Sequence, residues 1–344
     1  MKNSARIVLG LIVSLLIIIA ASSLGSSGIG FGDTLRIIGH RIFSGGQGGG
    51  VPAGVDSKNV SIVWLLRLPR VLLAFLAGGC LAMGGAVTQS VLRNPLASPY
   101  ILGVSSGASL GAGIVIVSGI SLPLISAFTL PLAGLVFGLV TVFTVLAFSA
   151  KIDKSMSSNT IILCGMVFSL FTGAMLTTLS AVFSDDLKRI TLWQMGSFAM
   201  RGWSYVKLIL PFFIIGTAGI MRYTREMDML TFGDEQAKAA GVETEGVRKK
   251  LLVFAIVLTG AAVALSGVIG FVDLIAPHAA RKIVGSRHKY AIPMSFILGG
   301  SLMVVTDLAA RTIISPSELP VGAITALIGA PFFAWLYFKK RRLA

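Results

Sequence analysis

Long apolar stretches separated by short polar connections run along almost the whole chain. Clear apolar runs cover about 7–24, 68–91, 100–120, 123–149, 160–182, 205–221, 251–272, 291–309 and 319–338. Most approach the roughly 20 residues that carry an α-helix across a hydrocarbon core. The pattern predicts an all-α integral membrane protein.

Nine runs conflict with the charges at the chain ends. Lys2 and Arg6 precede the first run, and Lys339-Lys340-Arg341-Arg342 follow the last. Basic residues mark the cytoplasmic side, so both termini are expected inside, which an odd number of crossings forbids. Arg248-Lys249-Lys250 and the group Arg281, Lys282, Arg287 and Lys289 are also expected inside. Between them only Leu251–Ala280 is available to go out and return. At about 1.5 Å per residue this allows one full helix and a short, broken return segment, Asp273–Ala280, containing Pro277. About ten transmembrane helices result, the eighth short and broken.

An internal repeat points to the same place. Gly78, Ala82, Gly85, Leu92, Pro95, Ala97 and Gly103 align without gaps, at an offset of 182 residues, with Gly260, Ala264, Gly267, Leu274, Pro277, Ala279 and Gly285. Asn94 and Pro95 in one copy and Pro277 in the other are expected structural breaks. With the second span running inward and the seventh outward, spans 2–5 and 7–10 form an inverted repeat, an architecture of transporters.

Composition agrees and removes other classes. The chain of 344 residues is 55% hydrophobic and 12% charged, with a mean hydropathy of +0.88, which excludes an ordinary soluble globule. Forty glycines suit close helix packing in lipid. The net charge of +15 gathers at the ends of apolar runs, a sign of membrane topology and not of nucleic-acid binding. Cys80 and Cys164 lie inside apolar runs and read as buried hydrophobes, not as a disulfide or metal site. Ala20-Ala21-Ser22 after the first run imitates a signal-peptide cleavage site, but the spans that follow favour a retained first helix. The organisation is then a first transmembrane helix at 1–24, an outer Gly/Ser-rich loop at 25–60, and a membrane core at 61–344 that includes an inner loop at 222–250.

The loops carry what candidate chemistry there is. The inner loop holds six basic and six acidic residues and reads as two short helices with Gly241 as a C-cap turn. Its apolar Met229, Leu230, Phe232 and Val242 favour a docking surface for a cytosolic partner over a merely solvated loop. The outer loop contains Gly45-Gly46-Gln47-Gly48-Gly49-Gly50 and an amphipathic segment, Thr34–Phe43. Its composition indicates flexibility, and no chemistry is assigned to it. Arg67 and Arg70 flank Pro69 at one outer mouth, and Arg311 closes the ninth span. These arginines are either snorkelling anchors or a positive rim for an acidic partner, and the residues leave both open. Asp307 and Arg311, at i and i+4, are placed to pair.

Several enzymatic signatures are absent. There is no G-x-x-x-x-G-K-[ST], no H-E-x-x-H, no C-x-x-C and no G-x-S-x-G in a strand–helix context. His40 and His288 fall in loops, while His278 follows Pro277 and is either a metal-complex ligand or a polar group satisfied by helix ends. Asp273 and Asp307 are nearly the only ionisable residues at membrane depth, both near span ends. This argues against intramembrane catalysis and against proton-coupled transport.

Arg67-Leu68-Pro69-Arg70, Gly84-Gly85-Ala86-Val87-Thr88-Gln89, Asn94-Pro95-Leu96-Ala97-Ser98-Pro99, Leu102-Gly103-Val104-Ser105-Ser106-Gly107-Ala108, Gly267-Val268-Ile269-Gly270-Phe271-Val272 and Ala276-Pro277-His278 resemble the FecCD-type permeases. So do Trp193-Gln194-Met195-Gly196-Ser197, Glu318-Leu319-Pro320-Val321-Gly322 and Gly329-Ala330-Pro331. These permeases are membrane subunits of ABC importers for iron–siderophores, haem and cobalamin, and the likeness spans about residues 60–338.

The resemblance implies a homodimer in the cytoplasmic membrane with a path at its two-fold axis. It also implies a separate ATPase dimer on the inner loop and a substrate-binding protein on the outer face. The permease itself would be no enzyme and hold no cofactor. By the resemblance, Met229, Leu230, Phe232, Gly233, Glu235, Ala239, Gly241 and Val242 belong to the coupling helices, and Arg67, Arg70 and Arg311 meet the binding protein. The path would be lined by the fifth span, Thr160–Val182, with Thr172, Thr177, Thr178 and Ser180. The tenth span would contribute too, with a short preceding helix around Ser315–Pro320 that brings in Ser315 and Pro320. An iron(III)-siderophore is the expected cargo because that class is commonest; haem and cobalamin are the alternatives within the family. An ion-coupled secondary transporter and a receptor-type membrane protein are the alternatives outside it.

Overall fold

The computed structural model describes residues 2–25, 28–43, 50–123, 125–154 and 156–341, with side chains as far as residue 334. Its helices are α1 (Asn3–Ser23), α2 (Phe31–Phe43), α3 (Ser57–Ser61), α4 (Leu68–Val91), α5 (Val104–Ser118), α6 (Ser126–Ile152), α7 (Ser158–Val182) and α8 (Leu187–Gln194). They continue as α9 (Trp203–Arg222), α10 (Thr224–Leu230), α11 (Asp234–Ala239), α12 (Thr244–Ser266), α13 (Val272–Val284), α14 (His288–Thr312) and α15 (Val321–Arg341). A π-turn over Ile62–Arg67 joins α3 to α4 without interruption, and a 3-10 turn over Pro99–Leu102 precedes α5. No strand occurs among the described residues. Among the described residues seven helices are long and apolar enough to cross a bilayer: α1, α3 continued through α4, α6, α7, α9, α12 and α14. The apolar α5 and the Val321–Ala334 part of α15 are shorter.

Helix α4 is the centre of the molecule. From Ala77 to Leu92 every residue is buried, because α14, α12, α13 and α9 all pack on it. Glycine makes that approach feasible: a Cβ on Gly78 would collide with the Gly299 backbone of α14, and one on Gly299 with that of Gly78. Helix α4 packs on α13 and α14, while α12 packs on α5 and α6; α5 also lies against α6, and α13 against α14.

The structure corrects the expected break at Pro277. Helix α13 runs unbroken from Val272 to Val284 with Pro277 inside it. The missing amide of Pro277 would have paired with the carbonyl of Asp273, four residues earlier. That carbonyl instead accepts from Gln89 Nε2 on α4 at 3.2 Å, so the proline is accommodated by a neighbour. The real interruption lies upstream, where Gly267 (φ +79°) ends α12 and Phe271 (φ +69°) starts α13. At 13 residues α13 is short, about 20 Å of helix against a core of about 30 Å. In the first half the break does fall at Asn94-Pro95. Asn94 Oδ1 accepts from the Leu96 amide at 2.9 Å, and the Asn94 carbonyl from that of Ala97 at 3.0 Å.

Gly85 lies against the Asp273 backbone, and any Cβ there would collide with it. Gly85→Ala is therefore expected to lower the thermal midpoint in detergent by an overpacking cost of about 1–3 kcal/mol. Gly173→Ala on α7, where a Cβ meets nothing within 4 Å, should leave the midpoint unchanged or raised. Equal midpoints for Gly85→Ala and the parent would contradict this packing.

The 25–60 segment contains more order than its composition indicates. The predicted Thr34–Phe43 helix is present and starts three residues earlier, as α2. Its buried Ile37 joins Ile29, Val60 and Val63 in a small satellite core. Of the glycine run, residues 45–49 lie outside the described residues.

Candidate functional site

Of the three arginines expected on the outer side, Arg67 and Arg311 converge on the end of α1. Its last carbonyls have no intrahelical partner and bear the negative end of the helix dipole. Arg67 is buried at 7% exposure and donates from Nη1 to the carbonyls of Ser22 and Ser23. Arg311 donates to the Ala21 and Leu24 carbonyls. Two cations thus cap one helix.

Arg70 makes a different set of contacts. Its Nε reaches both Asp307 carboxylate oxygens at 3.1 Å and its Nη2 reaches Oδ1 at 2.8 Å. On its other side it grips Glu318 at 2.7 and 2.9 Å. Asp307 is buried to 1% exposure, which is tolerable only with such a partner. The expected Asp307–Arg311 pair exists at 3.7 Å, a looser contact than Arg70 makes. The Arg70 hydrogen bond holds the Glu318 carboxyl below its ordinary range. This clasp is therefore present at neutral pH and is lost only as pH falls through that lowered value. Arg67, Arg70, Arg201, Arg311, Glu318 and Ser315 line a cleft of about 400 Å³ at this end of the helices.

At the opposite end the inner loop forms the two predicted helices, α10 and α11. Gly241 (φ +82°) closes α11 as a C-cap, with the Val242 amide donating to the Ala237 carbonyl at 2.9 Å. Gly233 (φ +119°) makes the turn between the two helices. Asp234, first residue of α11, is the fastener. It accepts from Arg93 at 3.0 Å and from Arg248 at 2.9 and 3.0 Å. Arg93 follows α4, whereas Arg248 belongs to α12 and is buried at 1% exposure. Asp228 of α10 accepts from the His288 amide at 3.0 Å and contacts its Nδ1 at 2.6 Å, which ties the loop to α14.

Of the expected coupling residues, Leu230 is buried and anchors α10. Met229, Phe232, Glu235, Ala239 and Gly241 are exposed. Phe232 is the most open of the apolar ones, at 70% exposure. Val242 and Gly233 are half-buried. Sequence reasoning missed the Asp234 fastener, although Arg93 and Arg248, each at the inner end of a long apolar run, were visible signals for it.

The expected path residues are dispersed. Thr172 is turned into α5, donating to Ser106 Oγ at 2.8 Å, and is buried. Thr177 and Thr178 are exposed and bond to their own helix, at the Gly173 and Ala174 carbonyls. Ser180 and Pro320 are half-buried and Ser315 is exposed. No helix forms around Ser315–Pro320, which corrects that expectation: 313–316 are turns and 318–320 are irregular. Pro316 and Pro320 lack the amides a helix would use, and each disfavours the helical region for its predecessor. His278 lies against Phe332 with ring centroids 6.2 Å apart, its buried Nε2 without a partner among the described residues. Among the described residues no three His, Cys, Asp or Glu side chains gather as metal ligands.

The profile of the FecCD transport family matches residues 11–339. The chain is 43% identical to the uncharacterised ABC transporter permease protein YvrB of Bacillus subtilis (strain 168), over 94% of this chain and 91% of that one. It is 37% identical to the hemin transport system permease protein HmuU of Yersinia pestis, over 81% and 84%. A solved metal-chelate type ABC transporter in an inward-facing conformation superposes with a TM-score of 0.77 at 32% identity, covering 90% of this chain and 98% of its own. The chain is a multi-pass membrane permease that leaves ATP hydrolysis to a separate subunit, and it belongs to the FecCD transport family.

Proposed function

We propose that this permease is the membrane half of an ATP-driven importer that moves an iron(III)-siderophore inward across the cytoplasmic membrane. The observation that carries the reading is the inner loop. It exposes apolar Met229 and Phe232 while Asp234 clamps its base to Arg93 and Arg248 at the inner ends of α4 and α12. A loop so built transmits a push from a docked ATPase dimer into the two helices at the heart of the fold. Exposed methionine and phenylalanine are also typical of a protein interface.

The finer architecture follows the sequence reading. Besides the seven long apolar helices, α5, α13 and α15 are present to complete ten crossings. In this reading both termini lie on the cytoplasmic side, as the basic residues at each end favour. The exchange of partners, α4 with α13 and α14 against α12 with α5 and α6, supports an inverted repeat. Two copies form the dimer, with the exposed Thr177 and Thr178 of α7 facing the path and Ser315 and Pro320 at its outer mouth. Thr172, bonded to α5, shapes that wall from behind. Arg67, Arg70 and Arg311 serve the binding protein by holding the outer rim positive. A carboxylate offered by that partner competes with Glu318 for Arg70.

A bulky, hydroxyl-rich chelate suits a wall of weakly polar threonines that grips nothing tightly. Uptake into proteoliposomes containing the permease, its ATPase and its binding protein tests the cargo. Radiolabelled ferric hydroxamate siderophore should accumulate at least about tenfold over haem and cobalamin, a margin of about 1.4 kcal/mol. Preferential uptake of haem or cobalamin would reject the siderophore and keep the ABC importer.

A further inference from the structure

A second cleft opens between α6, α9 and α12, and it serves none of the roles above. Its volume is about 200 Å³ and every residue lining it is apolar, among them Pro131, Leu132, Leu135, Leu208, Phe212 and Ala264. A dry groove of this kind on a membrane protein fits an acyl chain.

What distinguishes this groove is the column of groups above it. Phe128, which lines the cleft, packs against Tyr205 with ring centroids 5.2 Å apart. The Arg201 guanidinium stands over the same Tyr205 ring at 4.4 Å from its centroid. Tyr205 Oη donates to the Ala127 carbonyl at 3.0 Å, tying α9 to the first turn of α6 and closing the top of the cleft. Arg201 as a whole is half-buried, with its Nε buried and without a hydrogen-bond partner among the described residues. The guanidinium is a planar fork that matches a phosphate.

The level is right for a headgroup. Trp203 packs against Trp64 with the ring planes tilted and centroids 5.1 Å apart, and donates to its carbonyl at 2.8 Å. Tryptophan and tyrosine gather where bilayer meets water. Arg201 also lines the cleft of Arg67, Arg70 and Arg311, which the topology proposed above puts at the outer interface. From Tyr205 down to Phe212 is about 10 Å of helix, within the roughly 15 Å of a single leaflet.

We infer that an anionic phospholipid of the outer leaflet binds here, its phosphate on Arg201 and one acyl chain in the cleft. Bound there, it spans the gap between α6 and α9 below the Tyr205–Ala127 contact. Native mass spectrometry of the purified full chain, given equal phosphatidylglycerol and phosphatidylcholine of identical chains, tests this. The parent should retain phosphatidylglycerol roughly fivefold over phosphatidylcholine, the equivalent of about 1 kcal/mol. Arg201→Gln should retain the two lipids equally. Leu132→Trp, at a position 40% exposed and thus tolerant of bulk, should bind less of both. Equal retention by the parent, or unchanged selectivity in Arg201→Gln, or unchanged binding in Leu132→Trp would overturn the site. So would disulfide formation between two copies through cysteines placed at Leu132 and Leu208, since this face would then be covered by protein.

Discussion

Arg70→Met should leave little folded protein, with a loss of about 3–5 kcal/mol, because it strands a buried charge. Asp307 has 1% exposure and takes three hydrogen bonds from Arg70, while its other cation, Arg311, stays 3.7 Å away. A loss of that size is a large part of a typical stability of about 5–15 kcal/mol. The sharper result is the rescue. Arg70→Met combined with Asp307→Asn removes both charges, so the double variant should recover much of the thermal midpoint lost by the single one. A single variant as stable as the parent, or a double variant no better than the single, would show that the pair is not what holds α4 to α14 at the outer end.

The second large effect concerns coupling and leaves stability aside. Phe232 is 70% exposed, and Gly233 behind it makes the turn into α11. Phe232→Asp should therefore leave the thermal midpoint unchanged while ATP-driven uptake falls at least about tenfold. Burying a phenylalanine in an interface is worth about 1.5–3 kcal/mol, and a desolvated carboxylate opposes docking further. Asp234→Asn makes a useful contrast, because it weakens the clamp to Arg93 and Arg248 and should affect both midpoint and uptake. Undiminished uptake by Phe232→Asp would remove this residue from the ATPase contact.

Much of the fold could be read from the chain because lipid imposes simple rules on it. Apolar length marked the long helices, and the paired short helices of the inner loop were announced by Gly241 and the residues around it. Charge parity called for a short return segment at Asp273–Ala280, and a short helix, α13 at Val272–Val284, covers those residues. The error at Pro277 has a physical source. Sequence shows that a proline removes an amide, but not that Gln89, 188 positions earlier in the chain, satisfies the carbonyl left behind. The outer arginines show the same limit. Their location was legible; that Arg67 and Arg311 cap the carbonyls of α1, and that Arg70 is shared by Asp307 and Glu318, depends on contacts between distant segments. Phe271 with its positive φ gave no signal that local propensity rules would catch.

The account rests on the claim that this chain moves cargo only when a separate ATPase acts on its inner loop. Proteoliposomes holding the permease with its binding protein test this directly, with the ATPase and ATP added or withheld. Accumulation of the ferric siderophore is predicted only when permease, ATPase and ATP are all present, and it should disappear with a non-hydrolysable ATP analogue. Accumulation without the ATPase, driven by an ion gradient, would contradict the claim and identify an ion-coupled transporter instead.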